Sequence, residues 1–240
     1  MIYLADGYFY VDGEFRWGAL QIDGSKIGAF QQLPPDAKFA PPMWDAQAKT
    51  MRLGGKYVLP GLVDVHVHFR DMDQAEKETI ETGSRAALHG GVTVCVNMPN
   101  TRPPATTPDV VEAWEILALK NCYVNVAFLA GVPPVTRRAA LNEIAEKPVK
   151  GFKIYLHAPL SPENTWTNPD TLQKLLQFAE EKQVLMCFHA DLPQEGGVRK
   201  QRYESAILGG RTELEAHDET YPEEEEQEAI SYVLETYTGL

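Results

Sequence analysis

The sequence has little positive charge. It contains 22 Lys and Arg residues against 34 Asp and Glu residues, which gives a formal net charge of −12. A protein that binds nucleic acid or an anionic membrane surface needs clustered basic side chains, and here they are scattered. The composition therefore argues against nucleic acid and anionic membranes as partners.

The sequence also lacks long hydrophobic runs, and its N-terminal segment is not expected to be a secretory signal. No stretch approaches the roughly 20 apolar residues of a membrane-spanning helix. The N-terminal MIYLADGYFY has no basic segment and is interrupted by Asp6. The three cysteines, Cys95, Cys122 and Cys187, have neither the even number of a disulfide framework nor the close spacing of a zinc ribbon. We expect buried, reduced thiols in a cytoplasmic protein.

The sequence contains two regions that differ in the pattern of their apolar and polar residues. Residues 1–57 contain short alternating segments, with Asp-Gly pairs at 6–7 and 12–13 that predict hairpin turns, followed by a Pro-rich loop at 31–44. From residue 58 onward, apolar runs alternate with amphipathic segments of helical length. We therefore predict a small N-terminal strand-rich segment over 1–57 and a larger domain over 58–240.

The larger region predicts an α/β fold. The predicted strands are 62–70, 92–98, 123–130, 151–156 and 184–189, and the predicted helices are 75–88, 108–119, 136–146 and 169–182. Regular alternation of strands and helices favours a parallel sheet with right-handed connections. The strands begin about every 30 residues, so the region holds five to six βα units of TIM-barrel type, short of the eight in a closed barrel.

The alternative fold is an open doubly wound sheet. It has little support, because no Gly-rich phosphate loop follows a predicted strand. At the C-terminal end, Thr220 and Glu223 have capping-box spacing and predict the start of a helix. Its apolar stripe would comprise Ala229, Ile230, Val233, Leu234 and Tyr237. The polar stretch 192–219 predicts a flexible loop.

The first strand of the larger region concentrates ionisable groups. Residues two apart share a face of a strand, which puts four such side chains on one side: Asp64, His66, His68 and Arg70. The apolar residues between them are expected to pack on helices. Two imidazoles at positions i and i+2 can chelate one metal ion, and neutral imidazole suits zinc. A polar patch or a hydrogen-bonded core pair is the alternative.

Two further positions stand out. Lys153 lies inside an apolar strand between Phe152 and Ile154. A lysine there extends to solvent, forms a salt bridge, or has a lowered pKa that lets the neutral amine react with carbon dioxide to a carbamate. His189 ends the fifth strand just before Asp191, where barrel strands present catalytic groups.

Four motifs in this order resemble the cyclic amidohydrolases, closest to the type I dihydroorotases: PGLVDVHVHFR (60–70), NMPNTRPP (97–104), GFKIYL (151–156) and FHAD (188–191). The resemblance implies a TIM-barrel metal-dependent hydrolase with an N-terminal β-sandwich segment. It implies two zinc ions held by His66, His68, a carboxylated Lys153 and His189. It also implies that Arg70 and Asn100 hold a substrate carboxylate, which suits the planar guanidinium, whereas Asp64 lies outside the direct ligands.

The implied activity is the reversible, zinc-dependent hydrolysis of L-dihydroorotate to N-carbamoyl-L-aspartate in pyrimidine biosynthesis. Two alternatives stay open. One is another cyclic amidase, such as a hydantoinase, dihydropyrimidinase or allantoinase, which Arg70 and Asn100 disfavour. The other is a non-catalytic dihydroorotase-like scaffold. A homo-oligomer or a complex with aspartate transcarbamoylase is the expected assembly.

The sequence departs from the family in three respects. The family's further histidine ligand and its catalytic aspartate belong to later strands, beyond Leu240, so the catalytic acid is unassigned and the chain is expected to be the N-terminal part of a longer enzyme. The family's Arg-Glu-Pro-Gly after the first strand is here replaced by residues 70–73, Arg-Asp-Met-Asp. His217 is expected in a solvated loop, and His89 and His157 are expected to be structural.

Overall fold

The computed structural model describes residues 1–45, 47–157 and 166–238. The chain divides into two compact units, Met1–Gly61 and Leu62–Leu240, and each is considered by itself. That these units are independent domains divided at 57/58 stays a prediction.

The first unit is rich in strands, as predicted. It contains β1 (Ile2–Val11), β2 (Glu14–Asp23), β3 (Lys26–Gln32), β4 (Lys49–Arg52) and β5 (Tyr57–Val58). The order β3-β2-β1-β4 forms one sheet, and β5 also pairs with β1. A two-residue turn joins β1 to β2 at Asp12 and Gly13, both at positive φ, as the Asp-Gly pair predicted.

The turn predicted at Asp6-Gly7 is wrong. β1 continues through this pair, and its register with β2 shifts between Ala5 and Gly7 around Asp6, which has a φ of 60°. The pair therefore forms a bulge rather than a turn. Gly7 is required there, because a Cβ atom would lie 2.9 Å from the carbonyl oxygen of Lys56.

Asp6 ties the first unit together. Its side chain is buried, accepts a hydrogen bond of 2.9 Å from the amide of Phe39, and pairs with the Arg52 guanidinium at 2.6 Å. Burial raises the pKa of the carboxyl group, but the hydrogen bonds from Phe39 and Arg52 outweigh burial and hold that pKa below its usual value. Asp6 thus anchors the loop after β3 and strand β4 to β1.

The described residues of the second unit form six parallel strands: β6 (Leu62–Val67), β7 (Val92–Asn97), β8 (Asn125–Phe128), β9 (Ala130–Gly131), β10 (Phe152–Tyr155) and β11 (Met186–His189). They pair in chain order as β6-β7-β8 and β9-β10-β11, and only Leu129 separates β8 from β9. Consecutive parallel order confirms the barrel-type βα arrangement. It contradicts the doubly wound alternative, in which the order reverses at a switch point.

Four helices lie between these described strands: α1 (Ile80–His89), α2 (Pro108–Asn121), α3 (Arg138–Ala145) and α4 (Pro169–Lys182). After β11 the chain continues with α5 (Val198–Leu208), α6 (Glu213–Thr220) and α7 (Glu223–Thr238). Helix α4 has the predicted bounds. Helix α1 begins five residues later than predicted, because Thr79 caps it and forms a capping box with Thr82. Helices α5 and α6 occupy the stretch predicted as a flexible loop, so that prediction is wrong.

The predicted helix start at Thr220 is also wrong. Thr220 is the last residue of α6, and its hydroxyl donates a 2.6 Å hydrogen bond to the Ala216 carbonyl. Helix α7 begins after Pro222, and a capping box occurs at Thr212 and Glu215 instead. The predicted apolar stripe of α7 is only partly covered: Ala229 is buried, Val233 packs against the core, and Ile230, Leu234 and Tyr237 are exposed.

The core of the second unit lies between strands and helices. Phe152 and Ile154 of β10 are fully buried and pack in one cluster with Leu172 and Phe178 of α4. The three cysteines are unpaired; Cys95 is buried as expected, whereas Cys122 and Cys187 are only partly buried. Within residues 1–45, 47–157 and 166–238, no helix is long and apolar enough to span a membrane.

The Asp6 contacts predict a specific stability loss. Asp6→Asn keeps a residue that tolerates positive φ but removes the charge, so it should lower the free energy of unfolding by about 1–2 kcal/mol. Asp12→Asn is the matched control, because Asp12 also has positive φ but an exposed side chain; it should change stability by less than about 0.5 kcal/mol. Urea unfolding of both variants measures the difference.

The same comparison has a defined pH dependence. Since the folded pKa of Asp6 lies below its usual 3.8, its contribution is fully present above that value and is lost as the pH falls through the folded pKa. The gap between wild type and Asp6→Asn should therefore shrink in acid. Equal effects of both substitutions at neutral pH would contradict the role given to Asp6.

Candidate functional site

The histidine pair lies at the end of β6. The strand ends at Val67, and the His66 and His68 rings lie with their centroids 5.2 Å apart. The Asp64 carboxylate accepts a 3.1 Å hydrogen bond from the His66 amide. The expected packing of the intervening apolar residues on helices is wrong for Val65, which is 66% exposed. It is confirmed for Phe69, which is buried against helix α1. Its ring packs so closely on Gly83 of that helix that a Cβ atom there would lie 2.4 Å from it.

Asn100 connects His68 to Arg70. The side-chain oxygen of Asn100 lies 2.7 Å from Nδ1 of His68, and its backbone carbonyl accepts a 3.1 Å hydrogen bond from Nη1 of Arg70. The two residues predicted to hold a substrate carboxylate are therefore neighbours. Asn100 also orients a predicted metal ligand, which the motif alone did not indicate.

The segment after β6 has an unusual backbone. Arg70, Asp71 and Met72 have φ values of 62°, 48° and 46°, which non-glycine residues rarely adopt. The Asp71 carboxylate stabilises this conformation by accepting hydrogen bonds from the amides of Met72 at 2.7 Å and Ile80 at 2.8 Å. Such conformations are held by their surroundings and are concentrated at functional sites. Here the strained segment presents Arg70.

Lys153 is buried within β10. It is only 5% exposed, between the fully buried Phe152 and Ile154. Its Nζ lies 5.2 Å from the centre of the Tyr155 ring, and among the described residues its ammonium group has neither an ion pair nor a hydrogen bond. Burial lowers the pKa of Lys153. Of the three interpretations of this lysine, the salt bridge is absent from the described part of the chain.

The cavity at the carboxyl ends of β6, β10 and β11 has a volume of about 1040 Å³. Three of the predicted metal ligands line it, namely His66, Lys153 and His189. His68, Arg70 and Asn100 do not line it. Its opposite wall is formed by α5, α6 and α7, including Ile230, Val233 and Leu234 of the apolar stripe.

The cavity also contains residues that sequence reasoning missed or assigned otherwise. His217 lies in helix α6 rather than in a loop, and its ring is 4.9 Å from that of Tyr221. His157 also lines the cavity, with Nδ1 3.3 Å from Oδ2 of Asp191 but not aligned for a hydrogen bond. Asp191 is paired with Arg199 of α5. The FHAD motif included Asp191, but nothing in the sequence indicated its arginine partner.

The electrostatics favour neutral imidazoles. Burial lowers the pKa of His68, and the charges of Arg70, His66 and Lys153 lower it further. The hydrogen bond that the ring donates to the side-chain oxygen of Asn100 acts in the opposite direction and raises this pKa. Burial and Lys153 likewise lower the pKa of His189, although Asp191 raises it. Burial raises the pKa of Tyr155 to about 12, and its hydroxyl is buried without a partner among the described residues. Neutral imidazole is the form that binds metals.

The fit of these residues to a metal depends on Lys153. In the described ranges, no group of three or more His, Cys, Asp or Glu side chains is arranged to hold a metal ion. The chemistry of the donors fits zinc once Lys153 is included, because a carbamate on this buried amine would add two oxygen ligands and replace an uncompensated positive charge with a negative one.

Comparison with known proteins indicates the same family of hydrolases that the sequence motifs resemble. The sequence model of the amidohydrolase family matches residues 57–236. The dihydroorotase of Pyrococcus abyssi is 40% identical over 134 residues, which cover 54% of this chain and 30% of that protein. The allantoinase of Rubrobacter xylanophilus is 32% identical over 181 residues, covering 75% of this chain and 39% of that protein.

A solved structure shares the fold. The L-hydantoinase (dihydropyrimidinase) from Arthrobacter aurescens superposes with a TM-score of 0.79 at 23% identity, covering 99% of this chain and 50% of that protein. The chain thus spans about half the length of this structure and about a third of the Pyrococcus relative.

The strained segment yields a prediction about Asp71. Asp71→Asn tolerates the same backbone but has one acceptor oxygen for two amides, so it should cost about 1–2 kcal/mol of stability. The Ile80 amide, which Asp71 protects at the start of α1, should exchange its hydrogen faster. Asp73→Asn changes an exposed side chain in the same segment and is the control. Unchanged protection of Ile80 in Asp71→Asn would contradict the role of the carboxylate.

Proposed function

We propose that this chain, which belongs to the amidohydrolase family, provides the metal-binding and carboxylate-binding residues of a dihydroorotase-like cyclic amidohydrolase. The reaction is the reversible hydrolysis of L-dihydroorotate to N-carbamoyl-L-aspartate. One observation carries the proposal: Lys153, which is buried and has no ion-pair partner among the described residues, faces the same cavity as His66 and His189. A buried cation without an anion is costly, so a function is the best reason for its presence.

The metal ligands follow from this arrangement. His66, His68, a carboxylated Lys153 and His189 would hold zinc, and two ions are expected in a complete site. Bound zinc would polarise the amide carbonyl and lower the pKa of a water molecule. The protein's own part is to keep the imidazoles neutral, which burial does for His68, and to orient them, which the hydrogen bond to Asn100 does for His68.

Arg70 and Asn100 support the choice of substrate. Dihydroorotate carries a carboxylate, and a guanidinium held at a fixed position can pair with it through two hydrogen bonds. Arg70 is held by its hydrogen bond to the Asn100 carbonyl and by the backbone of the segment after β6. Hydantoin and dihydrouracil lack the carboxylate and would gain nothing from this arginine.

A homo-oligomer or a complex with aspartate transcarbamoylase stays a prediction. Strand β6 supports a protein partner, because it pairs on one side only among the described strands. Its side chains Leu62, Val63 and Val65 are exposed, and an exposed apolar edge is a pairing surface.

The zinc site can be tested through Lys153. Lys153→Met should abolish zinc binding and yet raise the free energy of unfolding of the metal-free protein by about 1 kcal/mol, because an apolar side chain replaces a buried charge. Lys150→Met, at an exposed position three residues earlier, is the matched control. Zinc content is measured by mass spectrometry after dialysis, and stability by urea unfolding.

Carboxylation has its own signal. Wild-type protein supplied with ¹³C-bicarbonate should show a carbamate carbon resonance, and Lys153→Met should lack it. Full zinc binding by Lys153→Met would overturn the proposed ligand set, whereas loss of zinc in Lys150→Met would show that the assay reports general damage.

The substrate is tested by ligand binding in the zinc-loaded protein. L-dihydroorotate should bind more tightly than dihydrouracil, hydantoin or allantoin. Arg70→Met should weaken L-dihydroorotate by roughly 2 kcal/mol, about 30-fold, and leave dihydrouracil unchanged, because only the former has a carboxylate for Arg70. Arg102→Met, an exposed arginine in the loop after β7, is the control. A preference for hydantoin or allantoin that ignores Arg70 would favour another cyclic amide as substrate.

A further inference from the structure

Helix α2 has two faces of different character. On one face, Val111, Trp114 and Ala118 are buried in the core of the second unit. Ile116 and Leu119 lie on the other side of the helix and are 44% and 79% exposed. Two large apolar side chains three residues apart are neighbours on a helix surface. When such neighbours are exposed, they are typical of a surface that contacts another protein.

This apolar surface continues past the end of the helix. The amide of Tyr123 donates a 3.1 Å hydrogen bond to the hydroxyl oxygen of Ser84 in α1, so Tyr123 lies next to that helix. Tyr123 is 50% exposed, and Leu88, one turn after Ser84, is 47% exposed. Together with Ile116 and Leu119, these two side chains make up the α2 patch.

Charged side chains lie on both sides of Ile116 along the helix. Glu112 lies one turn before it and Lys120 one turn after it, and both are exposed. Glu112 pairs with Lys147 of its own chain at 2.7 Å, but its side chain is still 56% exposed. Lys120 has no ion-pair partner in the part of the chain that the structure describes. The exposed face of α2 therefore has an accessible carboxylate at one end and an unpaired ammonium group at the other.

This order of charges is complementary to itself. When two copies of a helix pack antiparallel about a two-fold axis, residues equally far before and after the residue at the axis lie opposite each other. With Ile116 at the axis, Lys120 of each copy lies opposite Glu112 of the other. Leu119 of each copy lies opposite Ala113, an exposed small residue that leaves room for it. A parallel arrangement would instead place like charges together.

We propose that the α2 patch is the interface of a homodimer, in which the α2 helices of two copies pack antiparallel about Ile116. The apolar side chains supply the buried area, and the two symmetric pairs of Glu112 with Lys120 set the direction of the helices. One helix pair covers less surface than a standard stable complex, so the dimer should dissociate in the micromolar range. None of these residues lines the cavity, so the dimer does not depend on the proposed function.

The dimer can be measured by sedimentation velocity of the metal-free protein over a range of micromolar concentrations. Wild type should change from monomer to dimer as the concentration rises. Leu119→Glu places a charge in the α2 patch and should abolish the dimer. Because Leu119 is largely exposed, this variant should fold normally, which circular dichroism checks. Lys174→Glu changes an exposed lysine of α4 and is the control, so it should leave the dimer unchanged.

Charge reversal tests the antiparallel arrangement. Lys120→Glu places two carboxylates opposite each other, and Glu112→Lys places two ammonium groups there, so each variant alone should dimerise about 10-fold more weakly. An equimolar mixture of the two variants restores both opposite-charge pairs and should form a heterodimer with nearly the wild-type affinity. Glu112→Lys also removes the pair with Lys147, but that pair is exposed and contributes little to stability.

Each outcome either supports or contradicts the dimer. A wild-type protein that stays monomeric at every concentration would overturn the proposal. A dimer that persists in Leu119→Glu would also overturn it and would indicate another surface, such as the exposed edge of β6. A mixture of the charge variants that recovers no affinity would overturn the antiparallel arrangement. No measurement uses zinc or substrate, so failure of the dimer leaves the proposed function untouched, and failure of the proposed function leaves the dimer untouched.

Discussion

The site depends on one continuous segment of backbone. Residues 125–131 pair with β7 through β8 and with β10 through β9, and the break between the two is Leu129, whose amide bonds to the Asn97 carbonyl while the next amide bonds to Gly151. His66 lies in β6 of one three-stranded sheet and His68 directly follows that strand, whereas Lys153 and His189 lie in β10 and β11 of the other sheet. This segment therefore connects the sheet next to the histidine pair to the sheet that contains Lys153 and His189.

Two buried cations near the cavity are accommodated in opposite ways. Arg199 has two carboxylate partners and an aromatic ring, so its charge is neutralised and it joins α5, α7 and the end of β11. Lys153 has no anion among the residues that the structure describes. A cation whose charge is fully paired stabilises the fold or orients its partners. An unpaired lysine in an apolar strand has a lowered pKa, which favours the reactive neutral amine. This contrast separates the supporting residues from those proposed to perform the chemistry.

Elements with a strong hydrophobic period were predictable, and those stabilised by ion pairs were not. Helix α4 starts at Pro169 after the Asn168 cap and has the predicted bounds, because cap and apolar face agree. Helix α5 buries little more than Ala206 and is held by Arg199 and Arg202, so its sequence resembles a polar loop. The Asp-Gly pair at 6–7 indicated a turn, but the register of β1 between β2 and β4 made it a bulge.

The sequence by itself determined the parallel βα order, the family resemblance and the candidate ligands His66, His68, Lys153 and His189, since these depend on residue type, period and local motif. Only the tertiary structure decided which groups meet. The fold places Asn100 in hydrogen-bond contact with His68 and Arg70 and gives Arg70 its positive φ. It also pairs Arg199 with both Asp191 and Glu225. The physical reason is that pairing across such sequence separations depends on how helices pack over the strand ends, and a charged side chain does not identify its distant partner in a single sequence.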